Sequence, residues 1–394
     1  MRKTAHVAMV GSTTPSHVYP SLGLIRELVD RGHRVTYAVG EPLTGLVTPT
    51  GAEPVAHPSI LPQGDTAWPE DPGTAMRVFL DEGIAVLPRL TARYDTDRPD
   101  LVLYDIGGLP GPLLGARYGV PAVQLSPAMV AWDGYEEDMA EFITALAASE
   151  SGRDYYATFD RWLADNGIHQ DARTFLNHPA HVLALIPRVM QPNADRVPEH
   201  RVRFVGPCLD PARLAEPGWA PPDSGRRVLL VSFGTAYNDQ LPVYRACLDG
   251  FADSPWHVVM AIGDKVDPAD LGPLPDNVEA HRRVPQLAVL AHASAFVTHA
   301  GMGGCTEALW FGVPTVAIPQ AVDQFANADR LVEAGVGRRL PAEEVTARTL
   351  RAAVDAVADD PRLRHRLAEI RAEVRTNGGL RHAADAVEAF LPGR

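Results

Sequence analysis

The sequence predicts an α/β protein of two domains, each built around a parallel, doubly wound sheet. Three observations support this prediction: a length of 394 residues, strand-like runs that alternate with helix-like runs in both halves, and a proline-rich segment between the halves. A chain of this length exceeds a typical single domain and suits two. Strands that alternate with helices build a parallel sheet covered by helices.

The first half opens on an apolar, strand-like run at residues 5–10 and continues with an amphipathic helix. Leu22, Ile25 and Leu28 recur at helical spacing, and the run ends at Gly32, a residue suited to a helix C-cap. Further strands are predicted at residues 34–39, 101–104 and 122–125.

The second half repeats this alternation from residue 226. Strands are predicted at residues 228–232, 257–261, 295–298 and 315–318. The segment between the halves has the composition of a linker, with prolines at positions 207, 211, 217, 221 and 222. We therefore place the first domain at residues 1–206, the linker at 207–225, the second domain at 226–376 and a C-terminal helical segment at 377–394.

The composition limits the partners and the location that we expect. A formal net charge of −13 argues against nucleic acid and against an anionic membrane surface, because both require clustered Lys and Arg. The three cysteines are widely spaced and indicate neither a disulfide framework nor a Cys-x-x-Cys metal site. No apolar run approaches the ~20 residues of a membrane span, and no signal peptide precedes the first strand. We expect a cytoplasmic location.

A glycine-rich turn after the strand at 295–298 is the strongest candidate for ligand binding. The strand delivers His299 into a turn that contains Gly301, Gly303 and Gly304, and a helical run follows. Glycines at a helix start leave backbone N–H groups accessible to a phosphate or diphosphate. A tight turn without a ligand is the alternative interpretation of the same glycines. His299 can add a hydrogen bond to the anion.

Three further polar residues follow at the same predicted sheet edge. Glu307 lies on the second turn of the helical run, and Asp323 and Gln324 come just after the next strand. A carboxylate would be repelled by phosphate but suits ribose hydroxyls, and an Asp-Gln pair offers acceptors and donors to more hydroxyls. The carboxyl edge of a parallel sheet is where such folds bind ligands. Together these residues indicate a site for a nucleotide diphosphate sugar.

A second candidate pair lies at the sheet edge of the first half. His17 follows the first strand at the start of a helix, and Asp105 ends the strand at 101–104. Imidazole titrates near neutrality and suits removal of a hydroxyl proton, and a carboxylate on its far nitrogen would fix the tautomer. A histidine at a helix start also occurs without any chemistry, and Asp105 alone would suit the cap of the following turn.

The stretch from residue 283 to 324 resembles the donor-binding signature of the UDP-glycosyltransferase superfamily. Other segments, such as LSPAMVAWDGYEED and GRDYYATFDRWLADNGI, are similar to the bacterial macrolide glycosyltransferases of the oleandomycin glycosyltransferase type. The resemblance covers the whole chain. The signature residues that match are Pro285, Gln286, Leu290, Phe296, Thr298, His299, Gly301, Glu307, Gly312, Val313, Pro314, Pro319, Asp323 and Gln324.

This resemblance implies the GT-B fold, in which two Rossmann-like domains with parallel sheets face each other across an interdomain cleft and a last helix packs back towards the first domain. It implies that His17 is the general base and that Asp105 orients it. The run at residues 54–73 would form a loop over the acceptor pocket. Additional donor-binding residues implied are Thr235, Arg283, Val284 and Gln286, and the acceptor-binding residues implied are Ile106, Gly107, Ser126 and Trp132.

The chain departs from the family pattern at three places. Arg283 stands where the family usually has a Trp that stacks on the base, although a guanidinium plane can also stack. Tyr19 replaces the Asn that usually lies two residues after the catalytic His. Gly303 and Gly304 replace Asn and Ser of the plant members, which leaves backbone amides to bind phosphate.

The resemblance implies an inverting glycosyltransferase that moves glucose from UDP to a hydroxyl of a lipophilic natural product. A macrolide antibiotic is the first choice of acceptor. The role implied is inactivation of the antibiotic or self-resistance. It implies no cofactor and no metal, since the UDP-sugar is a co-substrate. The partners expected are the sugar donor and a hydrophobic aglycone, and the protein would be a monomer or homodimer. The alternatives are a biosynthetic transferase of a TDP-deoxysugar, a nucleotide-sugar epimerase, and a non-catalytic nucleotide-sugar-binding auxiliary protein.

Overall fold

The computed structural model describes residues 4–62, 68–235 and 237–391, except the side chain of Asn377. Contacts divide the described chain into two compact units. The first comprises residues from Met1–Leu185, Asn193–Cys208 and Leu380–Arg394. The second comprises Ile186–Pro192 and residues from Leu209–Gly379. The domain boundaries predicted from composition stay predictions.

The first unit contains a parallel sheet of seven strands among the described residues, in the order β3-β2-β1-β4-β5-β6-β7. The strand order reverses between β1 and β4, which pair with Val10 opposite Tyr104. The carboxyl ends of the two strands at such a reversal are where doubly wound sheets bind ligands. The strands are β1 His6–Val10, β2 Arg34–Gly40, β3 Glu53–His57, β4 Leu101–Asp105, β5 Ala122–Ser126, β6 Val182–Ala184 and β7 Val202–Phe204.

Helices cover both faces of this sheet. Leu22, Ile25 and Leu28 of the first helix are fully or almost fully buried in a core cluster with Val7 and Met9 of β1, as their spacing predicts. Several helices start with Pro in the first turn, where its missing N–H costs nothing. The helices are α1 Pro15–Asp30, α2 Thr44–Val47, α3 Pro72–Asp95, α4 Pro110–Tyr118, α5 Tyr135–Asp138, α6 Ala140–Ala148, α7 Glu150–Asp165 and α8 Ala172–Asn177.

The predicted loop at residues 54–73 is wrong at both ends. Residues 54–57 belong to β3, and α3 begins at Pro72, where Asp71 caps the helix by accepting from the Thr74 N–H. The prediction failed because Pro54 resembles a turn residue. Proline is tolerated in β3 because β3 is an edge strand. Residues 63–67 of this run lie outside the described residues.

The second unit has the same architecture in its described part, with six parallel strands in the order β10-β9-β8-β11-β12-β13. The strands are β8 Arg227–Ser232, β9 Trp256–Ala261, β10 Val278–His281, β11 Ala293–Thr298, β12 Thr315–Ala317 and β13 Gly337–Arg339. The helices are α9 Pro211–Leu214, α10 Leu241–Phe251, α11 Gln286–Leu290, α12 Met302–Phe311, α13 Gln324–Glu333, α14 Ala347–Asp359 and α15 Pro361–Asn377.

Short 3-10 helices occur in both units. They lie at Glu41–Leu43, Thr48–Thr50, Arg188–Met190, Ala194–Arg196, Pro268–Leu271 and Ala342–Glu344.

The last helix, α16 Leu380–Glu388, belongs to the first unit. Its Ala383, Ala384 and Val387 are buried in the same core cluster as α1. The buried carboxylate of Glu388 lies 3.2 Å from Nε2 of His33 and 3.3 Å from Nη1 of Arg31. This helix is therefore an integral part of the first unit. None of the helices in the described part of the chain is long and apolar enough to cross a bilayer.

Candidate functional site

His17 and Asp105 are in direct contact at the carboxyl edge of the first sheet. The imidazole Nδ1 lies 2.9 Å from Oδ2 and 3.1 Å from Oδ1 of Asp105. Oδ2 also accepts a hydrogen bond of 2.8 Å from the Gly107 N–H. Asp105 is buried, whereas the His17 side chain is 23% exposed. Because an ionised carboxylate only accepts hydrogen bonds, Nδ1 carries the proton and Nε2 is the basic nitrogen.

Ile106 and Gly107, two of the predicted acceptor residues, follow Asp105 directly. Ile106 is half-buried. A Cβ atom at Gly107 would lie 2.8 Å from Oγ of Ser12, so the loop after β4 can approach the loop after β1 only because this residue is glycine. The ring of Phe79 lies 6.3 Å from the His17 ring, centroid to centroid. The His17–Asp105 pair thus has an apolar neighbour on α3.

Ser126 and Trp132 were also predicted to line the acceptor site. Ser126 ends β5, the neighbour of β4, and donates to the Ala128 carbonyl at 2.9 Å. Trp132 donates from Nε1 to Oδ2 of Asp138 at 2.7 Å. Both residues are buried and their polar groups are engaged within the unit. Their acceptor-binding role stays a prediction. Because their polar groups are already hydrogen-bonded, these two residues would bind an acceptor through van der Waals contact.

In the second unit, His299 follows β11 and lies between two glycines. A Cβ atom at Gly301 would lie 2.5 Å from Nε2 of His299, and one at Gly234 would lie 2.7 Å from its Cε1. Gly234 also has a φ of +70°, a conformation that disfavours other residues. Burial lowers the pKa of His299 to about 4. The imidazole is therefore neutral at pH 7 and can donate a single hydrogen bond.

The start of α12 lies beside this histidine. Gly301 is the N-cap residue and has no side chain to occupy the N–H groups of the first turn. A Cβ atom at Gly303 would meet nothing within 4 Å, whereas one at Gly304 would lie 3.4 Å from Oγ1 of Thr298. Thr235 is exposed in the turn after β8, the strand that pairs with β11. This edge of the sheet therefore presents helix N–H groups of the kind that bind anions.

Glu307 is a buried carboxylate on α12 with two partners. Its Oε1 accepts from Nη1 of Arg213 at 3.0 Å, and its Oε2 accepts from Nε2 of Gln286 at 2.5 Å. The structure thus brings together Gln286 and Glu307, both predicted to bind the donor. Arg213, which belongs to α9 in the proline-rich segment, was not predicted to take part.

Arg283 and Val284 precede α11 and have different environments. The Arg283 side chain is 86% exposed, and its Nη2 lies 3.0 Å from Oδ2 of Asp264. Val284 is partly buried against a core cluster that includes Leu290 and Phe296. Stacking of Arg283 on a nucleotide base stays a prediction. The contact with Asp264 is the interaction that the stacked guanidinium would keep or exchange.

Asp323 and Gln324 lie at the start of α13. Asp323 is exposed and accepts from Nδ2 of Asn327 at 3.0 Å. Gln324 is buried, and its Oε1 accepts from the backbone N–H groups of Gln320 at 2.8 Å and Ala321 at 3.2 Å. The amide oxygen of Gln324 therefore shapes the loop that precedes Asp323. Only its Nε2 group can donate to a sugar hydroxyl in this arrangement.

Sequence reasoning missed two residues that the structure connects to these sites, Arg213 and Glu82. Glu82 is buried on α3 and binds the loops after β1 and β3. A signal for Glu82 exists in the sequence, since a carboxylate interrupts the apolar face formed by Leu80, Val86 and Leu87. Arg213 carries no such signal, because its partner lies 94 positions away.

Two further features of the described residues are the arrangement of metal-ligating side chains and the state of the three thiols. Within 4–62, 68–235 and 237–391, no group of three or more His, Cys, Asp or Glu side chains is arranged to hold a metal ion. Cys208, Cys247 and Cys305 are free thiols, and burial raises the pKa of each. A raised pKa leaves a thiol protonated and unreactive.

The described residues form two parallel-sheet units, one with a His–Asp pair and the other with a glycine-rich helix start beside a buried carboxylate. Comparison with known proteins shows that a chain with these features is a glycosyltransferase. The family described as Erythromycin biosynthesis protein CIII-like, C-terminal domain, matches residues 245–388. The oleandomycin glycosyltransferase of Streptomyces antibioticus is 50% identical over 396 residues, which cover 99% of this chain and 92% of that protein. The chain belongs to the macrolide glycosyltransferase family.

Two further comparisons agree with this assignment. The NDP-glycosyltransferase YjiC of Bacillus licheniformis is 35% identical over 98% of both chains. The crystal structure of the glycotransferase of kitacinnamycin is 46% identical, covers 100% of both chains and superposes with a TM-score of 0.92. The predicted fold class, two Rossmann-like domains with parallel sheets as in GT-B enzymes, is confirmed. The protein is a hexosyltransferase, and the family gives no support to the epimerase or to the non-catalytic alternative.

Proposed function

We propose that the protein transfers glucose from UDP-glucose to a hydroxyl of a macrolide, with inversion at the anomeric carbon and without a metal ion. The observation that carries this proposal is the contact of 2.9 Å between Nδ1 of His17 and Asp105 at the carboxyl edge of the first sheet. The macrolide acceptor is supported by the 50% identity to a protein named for oleandomycin.

The reaction begins with deprotonation of the acceptor hydroxyl. Asp105 accepts the Nδ1–H of His17, so Nε2 takes the proton from the acceptor. The buried carboxylate then stabilises the imidazolium that forms. The Gly107 N–H fixes the carboxylate by donating to Oδ2. The His17 side chain is partly exposed, which suits the approach of an acceptor to the imidazole.

The resulting nucleophile attacks the anomeric carbon on the face opposite UDP. This displacement forms the new C–O bond as the bond to the diphosphate oxygen breaks, and it turns an α-linked donor into a β-linked product. The diphosphate leaves with a developing negative charge. The N–H groups at the start of α12 and a neutral His299 donate hydrogen bonds to that charge, in the place that a divalent cation takes in other sugar transferases.

The remaining donor contacts follow from the polar residues of the second unit. Glu307, with Gln286 beside it, accepts from the ribose hydroxyls, and Thr235 donates to the diphosphate. Asp323 accepts from hydroxyls of the sugar, and Gln324 donates from Nε2. Arg283 lies against the base with Val284 next to it. Addition of a bulky polar sugar to a macrolide hydroxyl would inactivate the antibiotic, which suits a self-resistance role in the cytoplasm.

The test is a transfer assay with purified protein, UDP-glucose or TDP-glucose, and a panel of macrolides and non-macrolide aglycones. We expect a product heavier than the macrolide by one hexose unit with UDP-glucose, undiminished by EDTA, and a β-anomeric signal in its NMR spectrum. His17→Ala supplies the matched control and should give little product. An α-linked product, dependence on a divalent metal, or exclusive transfer to non-macrolide aglycones would contradict the corresponding part of the proposal.

A second candidate function has one observation in its favour. Arg283 replaces the Trp that usually stacks on the base, so a thymine base and a deoxysugar are the alternative donor. Dissociation constants for UDP and TDP distinguish the two candidates. Tighter binding of TDP, together with transfer of a deoxysugar from a TDP donor, would favour the biosynthetic transferase.

A further inference from the structure

A buried carboxylate on α3 connects two loops at the carboxyl edge of the first sheet. Oε1 of Glu82 accepts from the hydroxyl of Thr13 at 3.1 Å and from the hydroxyl of Ser59 at 2.8 Å. Oε2 accepts from the backbone N–H of Ile60 at 2.7 Å. Glu82 is only 7% exposed. An ionised carboxylate with three donors is the arrangement that makes a buried charge tolerable.

Thr13 extends the connection to a third loop. Its Oγ1 also accepts from the N–H of Gly40, at the end of β2, at 3.0 Å. A Cβ atom at Gly40 would lie 2.3 Å from Cγ2 of Thr13, so the close approach requires glycine. Glu82 therefore ties together the chain segments that leave β1, β2 and β3.

The loop that Glu82 holds leads directly into the turn that carries His17. Thr14 is the N-cap of α1, and its carbonyl accepts from the His17 N–H at 2.9 Å. The Ser12 carbonyl in turn accepts from the Thr14 N–H at 2.8 Å. The side chain of Thr14 makes no cap hydrogen bond, so the position of this helix start depends on the path of residues 12–14.

The same face of α3 reaches His17 by a second route. Phe79 lies one turn before Glu82, and its ring is 6.3 Å from the His17 ring and 5.2 Å from the Trp68 ring. Helix α3 therefore holds the loop that leads into the His17 turn and also supplies an apolar neighbour of the imidazole.

We propose that Glu82 is a positioning residue for catalysis, which holds the loop after β1 so that His17 keeps its contact with Asp105 and presents Nε2 to the acceptor hydroxyl. This inference rests on the proposed role of His17 as general base. Glu82 acts through Thr13 and does not touch the substrate. An amide at this position would offer one acceptor oxygen in place of two, and would leave at least one of the three donors facing an NH₂ group.

Glu82→Gln tests the proposal with two acceptors, an aliphatic alcohol and an aryl thiol that is already ionised at the assay pH. Only the alcohol needs a base, so kcat for the alcohol should fall by about tenfold to a hundredfold, as expected for a misplaced catalytic group. Turnover of the thiol and the dissociation constant for UDP should stay near wild type. Thr13→Val, which keeps the carboxylate but removes the hydroxyl that joins Glu82 to the Gly40 N–H, should show the same selective loss.

The double variant Glu82→Gln/His17→Ala separates this inference from the proposed function. If Glu82 acts through His17, the double variant turns over the alcohol no more slowly than His17→Ala alone. Glu388→Gln is the matched control, because Glu388 is a buried carboxylate of the same unit that pairs with His33 and Arg31 away from this edge. Its turnover of both acceptors should match wild type.

The remaining outcomes of these experiments contradict either the role of Glu82 or the role of His17. Equal losses for alcohol and thiol, no loss for either, or losses that multiply with that of His17→Ala would overturn the role of Glu82 while leaving His17 as base. Normal alcohol turnover by His17→Ala alone would instead overturn the proposed role of His17 as general base. If Glu82→Gln does not fold, Thr13→Val decides by the same comparison of alcohol with thiol.

Discussion

Nη1 of Arg213 donates to Oε1 of Glu307 at 3.0 Å, which ties the proline-rich segment at residues 207–225 to the carboxylate proposed to bind ribose. A second contact in this segment joins Nε1 of Trp219 to Oε1 of Glu279 at 3.1 Å. Both contacts lie within the second unit. The segment that resembles a flexible linker in composition is therefore anchored by side chains on α12 and β10.

The first prediction concerns the stability that this anchor provides. Arg213→Met keeps most of the apolar stem but leaves the buried Glu307 carboxylate with Gln286 and without its cation. We expect the free energy of unfolding of the second unit to fall by about 1–3 kcal/mol. Adding Glu307→Gln should recover part of this loss, because the uncompensated charge is removed. Urea unfolding measures both, with the exposed Arg226→Met as control. Equal stability of wild type and Arg213→Met would show that the ion pair contributes nothing in solution.

The second prediction concerns ribose recognition. Glu307→Gln retains one acceptor oxygen but loses the charge that strengthens hydrogen bonds from ribose hydroxyls. UDP binding should weaken by about 1–3 kcal/mol, as measured by calorimetric titration. Glu333→Gln, an exposed change on α13, provides the control and should bind UDP like wild type. Unchanged affinity in Glu307→Gln would assign the ribose to other residues.

The third prediction concerns the base. The Arg283 guanidinium is highly exposed and pairs with Asp264, so loss of the ion pair in Arg283→Trp should cost at most about 1 kcal/mol of stability. The indole offers a larger stacking face, and UDP affinity should be retained or improved. Asp264→Asn tests whether the ion pair matters by itself. Loss of both UDP and TDP binding in Arg283→Trp would indicate that the guanidinium binds phosphate.

How much of the fold could be predicted depended on the length of each strand and on its position in the sheet. Central strands such as β1 and β8 are buried on both faces and read as apolar runs, and the structure confirms them. The edge strands have half-exposed, mixed sequences. Strand β3 contains Pro54, and β13 is a short Gly-Arg-Arg segment. Neither pattern differs from that of a loop, so the sequence does not predict these edge strands. The interior strand β6 is also not predicted, because its three buried residues are too few to show a period.

The site residues also differ in how far the sequence could predict them. His17 and Asp105 could be placed at one sheet edge, because parallel strands that neighbour each other end together. The contacts of Glu82 with Thr13 and of Arg213 with Glu307 depend on how distant segments are routed over the sheet. Periodicity and motif spacing describe local structure only, and therefore give no information about such contacts.

The fourth prediction concerns pH and His299. Burial holds the pKa of this imidazole at about 4 in the folded protein, whereas an unfolded chain takes up the proton near 6.5. The unfolded state therefore binds more protons between these values, and stability is lost as the pH falls from about 6.5 towards 4. The loss should amount to roughly 3 kcal/mol. It should be absent in His299→Gln and unchanged in the exposed His365→Gln. Thermal unfolding across this pH range measures it, and parallel profiles for wild type and His299→Gln would contradict it.

The fifth prediction concerns His17 and Asp105, the proposed catalytic pair. Asp105 is buried and accepts from both His17 and the Gly107 N–H, so Asp105→Asn removes the charge that stabilises the imidazolium while keeping a side chain of similar size. His17→Ala should lower turnover of alcohol acceptors by about 10²–10⁴-fold, and Asp105→Asn should cost as much or less. The two losses should not add in the double variant, because the residues act as one unit. UDP affinity, measured by calorimetry, should barely change in any of the three variants.

A second measurement on the same pair uses an acceptor that needs no base. An already ionised thiol acceptor should be turned over far better than an alcohol by His17→Ala. Near-normal turnover of aliphatic hydroxyls by His17→Ala would place the base elsewhere in the chain.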